Sequence, residues 1–330
     1  CNGIGRVGSW TLGTTAGPNS LTASVEGGLS VTINATGIPG AAASISKQSG
    51  DGGTAVVATT RALEAKVVDA NGNGVAGVTV SWAVATGGGS LSAPTSVTDG
   101  SGVASVVWTF GGTAGAQSVT ATATGLTGSP LTFSASTTPA AASQLAITTQ
   151  PSAAAQSGIA FPQQPVLQLR DAFGNAVAQA GVAVTAAIAS GTGTLGGTAT
   201  VNTDASGVAT FTDLSIGGTV GAYTLGFSAT GLTGATSGTI NLAAGAPANM
   251  AVNAGDAQTA TAGSAVATAP SVRVTDASGN PVSGVAVTFA VATGGGSVAG
   301  ATQTTHAAGI ATVGGWTLGT AAGANTPSAP

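Results

Sequence analysis

The chain has 330 residues, of which 43% are hydrophobic and only 5% charged, with a formal net charge of −4. A typical soluble domain carries about 25% charged residues, so the surface here must be built from Thr, Ser, Asn, Ala and Gly. With no basic run, nucleic acid is set aside as a partner. The one cysteine, Cys1, allows no internal disulfide, and no window reaches the ~18 apolar residues of a membrane span.

Residues 1–40 open inside a repeat. Gly3 to Gly17, GIGRVGSWTLGTTAG, matches Gly309 to Gly323, GIATVGGWTLGTAAG, and Gly102 to Gly115 is the same element one residue shorter. Cys1 falls at the position of Ala307, mid-repeat, which argues against an acylated lipoprotein cysteine. Strands are expected at Ser20–Val25 and Leu29–Ala35, the second half of a module. Asn34-Ala35-Thr36 is an N-glycosylation sequon, and the many Thr and Ser could carry O-linked sugar.

Residues 41–140 read as a complete module with strands at Ala43–Lys47, Arg61–Val68, Val78–Ala85, Val103–Phe110, Gln117–Thr124 and Leu131–Ser136. Val78, Val80, Trp82 and Val84 alternate with small residues, the period of a strand with one buried face. Residues 62–66, ALEAK, favour a helix, but Leu63, Ala65 and Val67 also alternate and the context decides for a strand. The stretch 69–90, DANGNGVAGVTVSWAVATGGGS, returns at 276–297 with 16 of 22 positions identical and more loosely from Asp171. Its leading aspartates, Asp69, Asp171 and Asp276, stand 102 and 105 residues apart, the signature of an array. Asp69, Asn71 and Asn73 imitate the start of a calcium loop, with spaced oxygens and a glycine, but Val80 stands where the closing glutamate is needed. A turn is the preferred reading and a cation site the weaker one.

Residues 141–246 form a second complete module of a divergent subtype. Ala186 replaces Trp82 and Phe289, and Phe211 replaces Val106 and Val313; these two positions are expected to face each other and exchange volume. Gly191 to Gly196 spells GxGxxG, but a dinucleotide site needs a helix to follow, and strand residues follow instead. Residues 247–330 are a third module lacking its last strands. His306, the only histidine, stands where Asp99 and Asp204 stand and is read as a turn residue; it has no partners for a metal or a triad. No catalytic or cofactor-binding residue is expected, and no enzyme.

The combined pattern D-x-x-G-x-x-V-x-G-V-x-V, then GGGS, T-D-x-x-G-x-A and WTLGT-x-A-G resembles the bacterial immunoglobulin-like repeats of invasin and intimin. The resemblance runs over essentially the whole chain. It implies an all-β fold of tandem Ig-like β-sandwich modules in a rod, with partial modules at both ends, outside the cell or on a bacterial surface. The chain differs from adhesins of that group in having no lectin-like tip and no membrane-barrel segment. The functional expectation is a structural fibre, stalk or filament. The partner is self, through head-to-tail strand complementation between the N-terminal half-module and the incomplete C-terminal one, or laterally through edges poor in lysine. A cut from a longer tandem chain explains the same ends. An adhesin module recognising a glycan or host receptor is the alternative, and would need clustered exposed aromatics.

Overall fold

The computed structural model describes residues 3–328, so Cys1 lies outside the described residues. These residues contain strands and no helix, so no helix is long and apolar enough to cross a membrane. Two compact units emerge. One is built on residues up to Ala141 together with Asp171–Asn175, the other on Ala142–Arg170 together with residues from Ala176 onward.

In the first unit, two sheets face each other. Strands Ala42–Ser49, Thr60–Asp69, Val103–Phe110 and Gly89–Leu91 make one, in that order. Thr54–Val56, Leu131–Thr138, Gly115–Thr122, Thr79–Thr86 and Thr95–Val97 make the other, with only its first pair parallel. Alternation along each strand sends Leu63, Val67, Val106 and Trp108 from one sheet against Val80, Trp82, Val119 and Phe133 from the other. This is an Ig-like β-sandwich. Residues 17–37 add a separate antiparallel hairpin, Gly17–Ser24 with Ser30–Gly37.

The expected long strands are present, Val103–Phe110 with the expected bounds and the others with ends within three residues of them. Three short ones, Thr54–Val56, Gly89–Leu91 and Thr95–Val97, were not expected. The glycines after Thr86 end that strand and carry the chain over to the other sheet, where Gly89–Leu91 begins. Gly87, Gly88 and Gly89 have φ of 80°, 73° and 91°, where side chains are strained, and a Cβ on Gly87 would lie 2.3 Å from the Gln117 side chain.

The second unit holds two further cores. One gathers Leu167, Leu169, Val184, Phe211, Tyr223 and Phe227; the other gathers Val272, Val274, Val287, Phe289, Ala311 and Val313, and Trp316 is buried outside that cluster. Ala186 and Phe211 share the first of these cores, and a third residue joins their exchange of volume. Phe227 lies opposite Ala186 in the strand register, and the Phe211 ring meets that of Phe227 at a tilt of 49°, centroids 5.6 Å apart. The corresponding pair in the first unit is Trp82 opposite Ala121. Volume is therefore exchanged within a cross-strand pair, large–small for small–large, with Phe211 packed against the large member.

Candidate functional site

The repeated Asp-x-x-Gly-Asn turn makes the most elaborate polar arrangement in the chain. In Asp69–Asn73 the glycine, Gly72, takes φ of 86° and closes a turn in which the Gly72 N–H donates to Asp69 O and the Asp69 N–H to Asn73 O. Asp69 Oδ1 accepts the backbone N–H groups of Asn71 and Asn73, both at 2.9 Å. Its Oδ2 accepts Asn73 Nδ2 at 2.9 Å and the Gly40 N–H at 2.7 Å. That last donor lies in the segment leading into the sandwich.

Asn73 reaches the other way. Its Nδ2 donates to Thr14 O at 2.9 Å and its Oδ1 accepts the Ala16 N–H at 2.8 Å. One side chain thus reads one carbonyl and one amide two residues further along the loop that precedes the hairpin.

The same set recurs. Asp171 Oδ1 accepts from Phe173 and Asn175, and its Oδ2 from Ala140 and Asn175 Nδ2. Asn175 bonds Gly112 O at 2.7 Å and the Ala114 N–H at 2.9 Å; all these residues belong to the first unit. Inside the second unit, Asp276 takes Ser278, Asn280 and Gly245. Asn280 bonds Gly218 O at 2.8 Å and the Val220 N–H at 3.0 Å. Each turn therefore clasps a linker with its aspartate and the preceding loop with its asparagine.

The three aspartates are almost fully buried: Asp69 is 4% exposed, Asp171 0% and Asp276 2%. The hydrogen bond from the Asn73 side chain, joined by backbone donors, holds the Asp69 carboxyl down to about 2. Burial by itself would raise Asp171 and Asp276, but their asparagine and backbone donors outweigh it and both stay below the usual carboxylate value.

The receiving loop is itself held in shape. In the first sandwich the buried Gln117 takes the Gly111 N–H on Oε1 and donates Nε2 to Gly111 O, Thr113 O and Thr137 Oγ1. Tyr223 serves at the matching position, donating to Thr192 O or Thr219 O. Asn19 accepts from Gly13 and donates to Gly17.

The other singled-out residues are placed as follows. Asn71 contributes its backbone N–H to the turn, and a cation at Asp69 would have to displace the N–H donors that occupy both carboxylate oxygens. His306 sits in the turn of Asp99 and Asp204, its Nδ1 accepting the Ala308 N–H as their Oδ1 accepts Ser101 and Ser206. The GxGxxG stretch contributes strand Gly193–Gly196, paired with Ser215–Gly218. Trp108 and Trp316 are core residues with unpaired indole N–H groups. No group of three or more His, Cys, Asp or Glu among the described residues could hold a metal ion.

Residues 49–138 match the family model for the bacterial Ig-like domain, group 1. Several solved structures are similar to the chain. FdeC, an Escherichia coli adhesin, is 21% identical over 88% of this chain and 95% of its own, with a TM-score of 0.43. InvD of Yersinia pseudotuberculosis is 19% identical over 83% and 78%, with a TM-score of 0.37. Invasin, a bacterial integrin-binding protein, is 19% identical over 86% of this chain and 56% of its own, with a TM-score of 0.35. No curated protein matches the chain.

Proposed function

We propose that this chain is a length of bacterial cell-surface stalk or fibre of the adhesin type, made of tandem Ig-like modules outside the cell. The modules are residues 41–140, 141–246 and 247–330, with residues 1–40 the second half of another. The observation that carries this reading is the clasp, made three times with the same atoms at the head of each module. Within each unit it ties a linker, a turn and an upstream loop together through buried hydrogen bonds, the kind of cross-link that a load-bearing repeat protein needs. FdeC and invasin, an adhesin and an integrin-binding protein by description, support placement on a surface. A glycan or receptor site on these modules has less support. Phe173 is the one aromatic among the exposed large hydrophobics of the described residues, and it stands against Gly112 in the clasp.

A second reading, head-to-tail polymerisation by strand complementation, is favoured by a specific observation. Val31 and Ile33 of the hairpin are 60% and 47% exposed, and Met250 and Val252 of the last core are 43% and 62% exposed. Each is an apolar face that a strand could cover.

Antibody labelling of intact producing cells tests the stalk; labelling only after lysis would sink it. Electron microscopy and light scattering of residues 1–330 beside a deletion of 1–40 test polymerisation. Long fibres lost on deletion support it, and monomers in both samples refute it.

A further inference from the structure

The last module carries a clasp-receiving loop with no turn upon it. In the occupied loop Gly13–Gly17, Asn73 takes the carbonyl of Thr14 and the amide of Ala16. The matching atoms in Gly319–Gly323 are Thr320 O and the Ala322 N–H, within WTLGTAAG as against WTLGTTAG. The loop has the same internal support. Asn325 accepts from Gly319 and donates to Gly323, as Asn19 does six and two residues back from itself. Among the described residues, neither Thr320 O nor the Ala322 N–H has a hydrogen-bond partner.

Beside this loop the core is open. Met250 holds the register position of Ile45 and Leu145, as their strand pairings show. Yet Met250 is 43% exposed where Ile45 is 3% and Leu145 5%. The amides of Ile45 and Leu145 donate to Thr127 O and Thr233 O, from the segment ahead of each module's last strands. A cleft of about 490 Å³ remains at the Met250 face, lined by Met250, Val252, Phe289, Trp316 and Pro327.

We infer that the loop Gly319–Gly323 and this cleft are the receiving half of a fourth clasp. The partner is another Ig-like module of this chain's own kind, bringing a strand like Ser30–Gly37 and an Asp-x-x-Gly-Asn turn. The strand pairs with Thr326–Ser328 as Ser30–Gly37 pairs with Ser20–Thr22, so residues at the positions of Asn34, Ile33 and Thr32 face Thr326, Pro327 and Ser328. Its apolar residues cover Met250 and Trp316. The turn's asparagine then donates Nδ2 to Thr320 O and accepts the Ala322 N–H on Oδ1. This inference rests on the stalk reading.

The test extends the 330-residue chain after Pro330 with a second copy of Val25–Ala140, which continues the repeat without a break. Hydrogen exchange at Ala322 is expected to slow at least tenfold. Asn73→Ala in the added copy is expected to abolish that slowing, and Asn71→Ala there to preserve it, because Asn71 acts through its backbone. A shorter extension, Val25–Gly40 alone, is expected to protect the Met250 amide, as Ile45 and Leu145 are bonded in the other modules, and leave Ala322 exchanging as before. Unchanged exchange at Ala322, with the added module's own core protected, overturns the clasp. No protection of Met250 from either extension overturns the strand. Both results leave the stalk reading to the labelling of intact cells.

Discussion

Asn280→Ala tests the clasp where its asparagine is most buried, at 4% exposure. The substitution removes three hydrogen bonds: to Gly218 O, from the Val220 N–H, and to Asp276 Oδ2. Neutral hydrogen bonds contribute about 1 kcal/mol net and those to charged groups about 1.5–3. Gly218 O keeps Ser157 as a donor, Val220 is half exposed and water can reach its amide, and Asp276 retains three backbone donors. The loss therefore belongs toward the low end of the sum, about 2–4 kcal/mol. Native-state hydrogen exchange over residues 216–222 and 276–282 measures it. Protection there is expected to fall by roughly 30- to 1,000-fold, since 1.4 kcal/mol is about tenfold. Combining Asn280→Ala with Asp276→Ala is expected to give non-additive losses, with coupling of about 0.5–3 kcal/mol. A loss below about 0.5 kcal/mol, or strict additivity, would refute the claim that these side chains work as one joint.

Acid should open the joints. A carboxylate whose folded pKa lies below its unfolded value stabilises the fold above the unfolded value, about 3.9, and loses that contribution as pH falls. For Asp69 the window therefore runs from about 4 down to about 2, and exchange at Ala16 is expected to rise across it, with Asp69→Asn flattening the profile. Phe227→Ala is expected to cost about 3–5 kcal/mol in denaturant titration, and adding Ala186→Trp to restore much of it by rebuilding the Trp82–Ala121 arrangement. Ala186→Trp alone is expected to destabilise by overpacking, by about 1–3 kcal/mol. Asn71→Ala is expected to change stability by less than about 0.5 kcal/mol with or without calcium. A larger loss that appears with calcium alone would restore the cation reading of Asp69.

Alternation made the long strands legible, because burial of one sheet face imposes period two on residues such as Leu63, Ala65 and Val67. Three-residue strands such as Gly89–Leu91 span too few residues for a period, and their glycines read as an ending. The clasp was hidden for a different reason. The partners of Asn73, Asn175 and Asn280 lie 57 to 63 residues upstream, and they are backbone atoms, which leave no mark in a sequence. One signal was available. A turn closed by Gly72 asks nothing of the residue after it, yet asparagine stands there in all three copies while Asn71, Phe173 and Ser278 vary freely. The volume swap was half legible for a similar reason. Pairing Ala186 with Phe227 needs the strand register, and alternation along one strand does not supply a register.

A joint that recognises main-chain atoms places little demand on the side chains it meets. The receiving residues are Thr14 and Ala16, Gly112 and Ala114, and Gly218 and Val220, and all serve alike. A loop that keeps this backbone path therefore accepts the turn whatever side chains it carries. Substitutions at these six loop positions are absorbed without loss of the joint, short of a proline at Ala16, Ala114 or Val220, which would remove the donated amide.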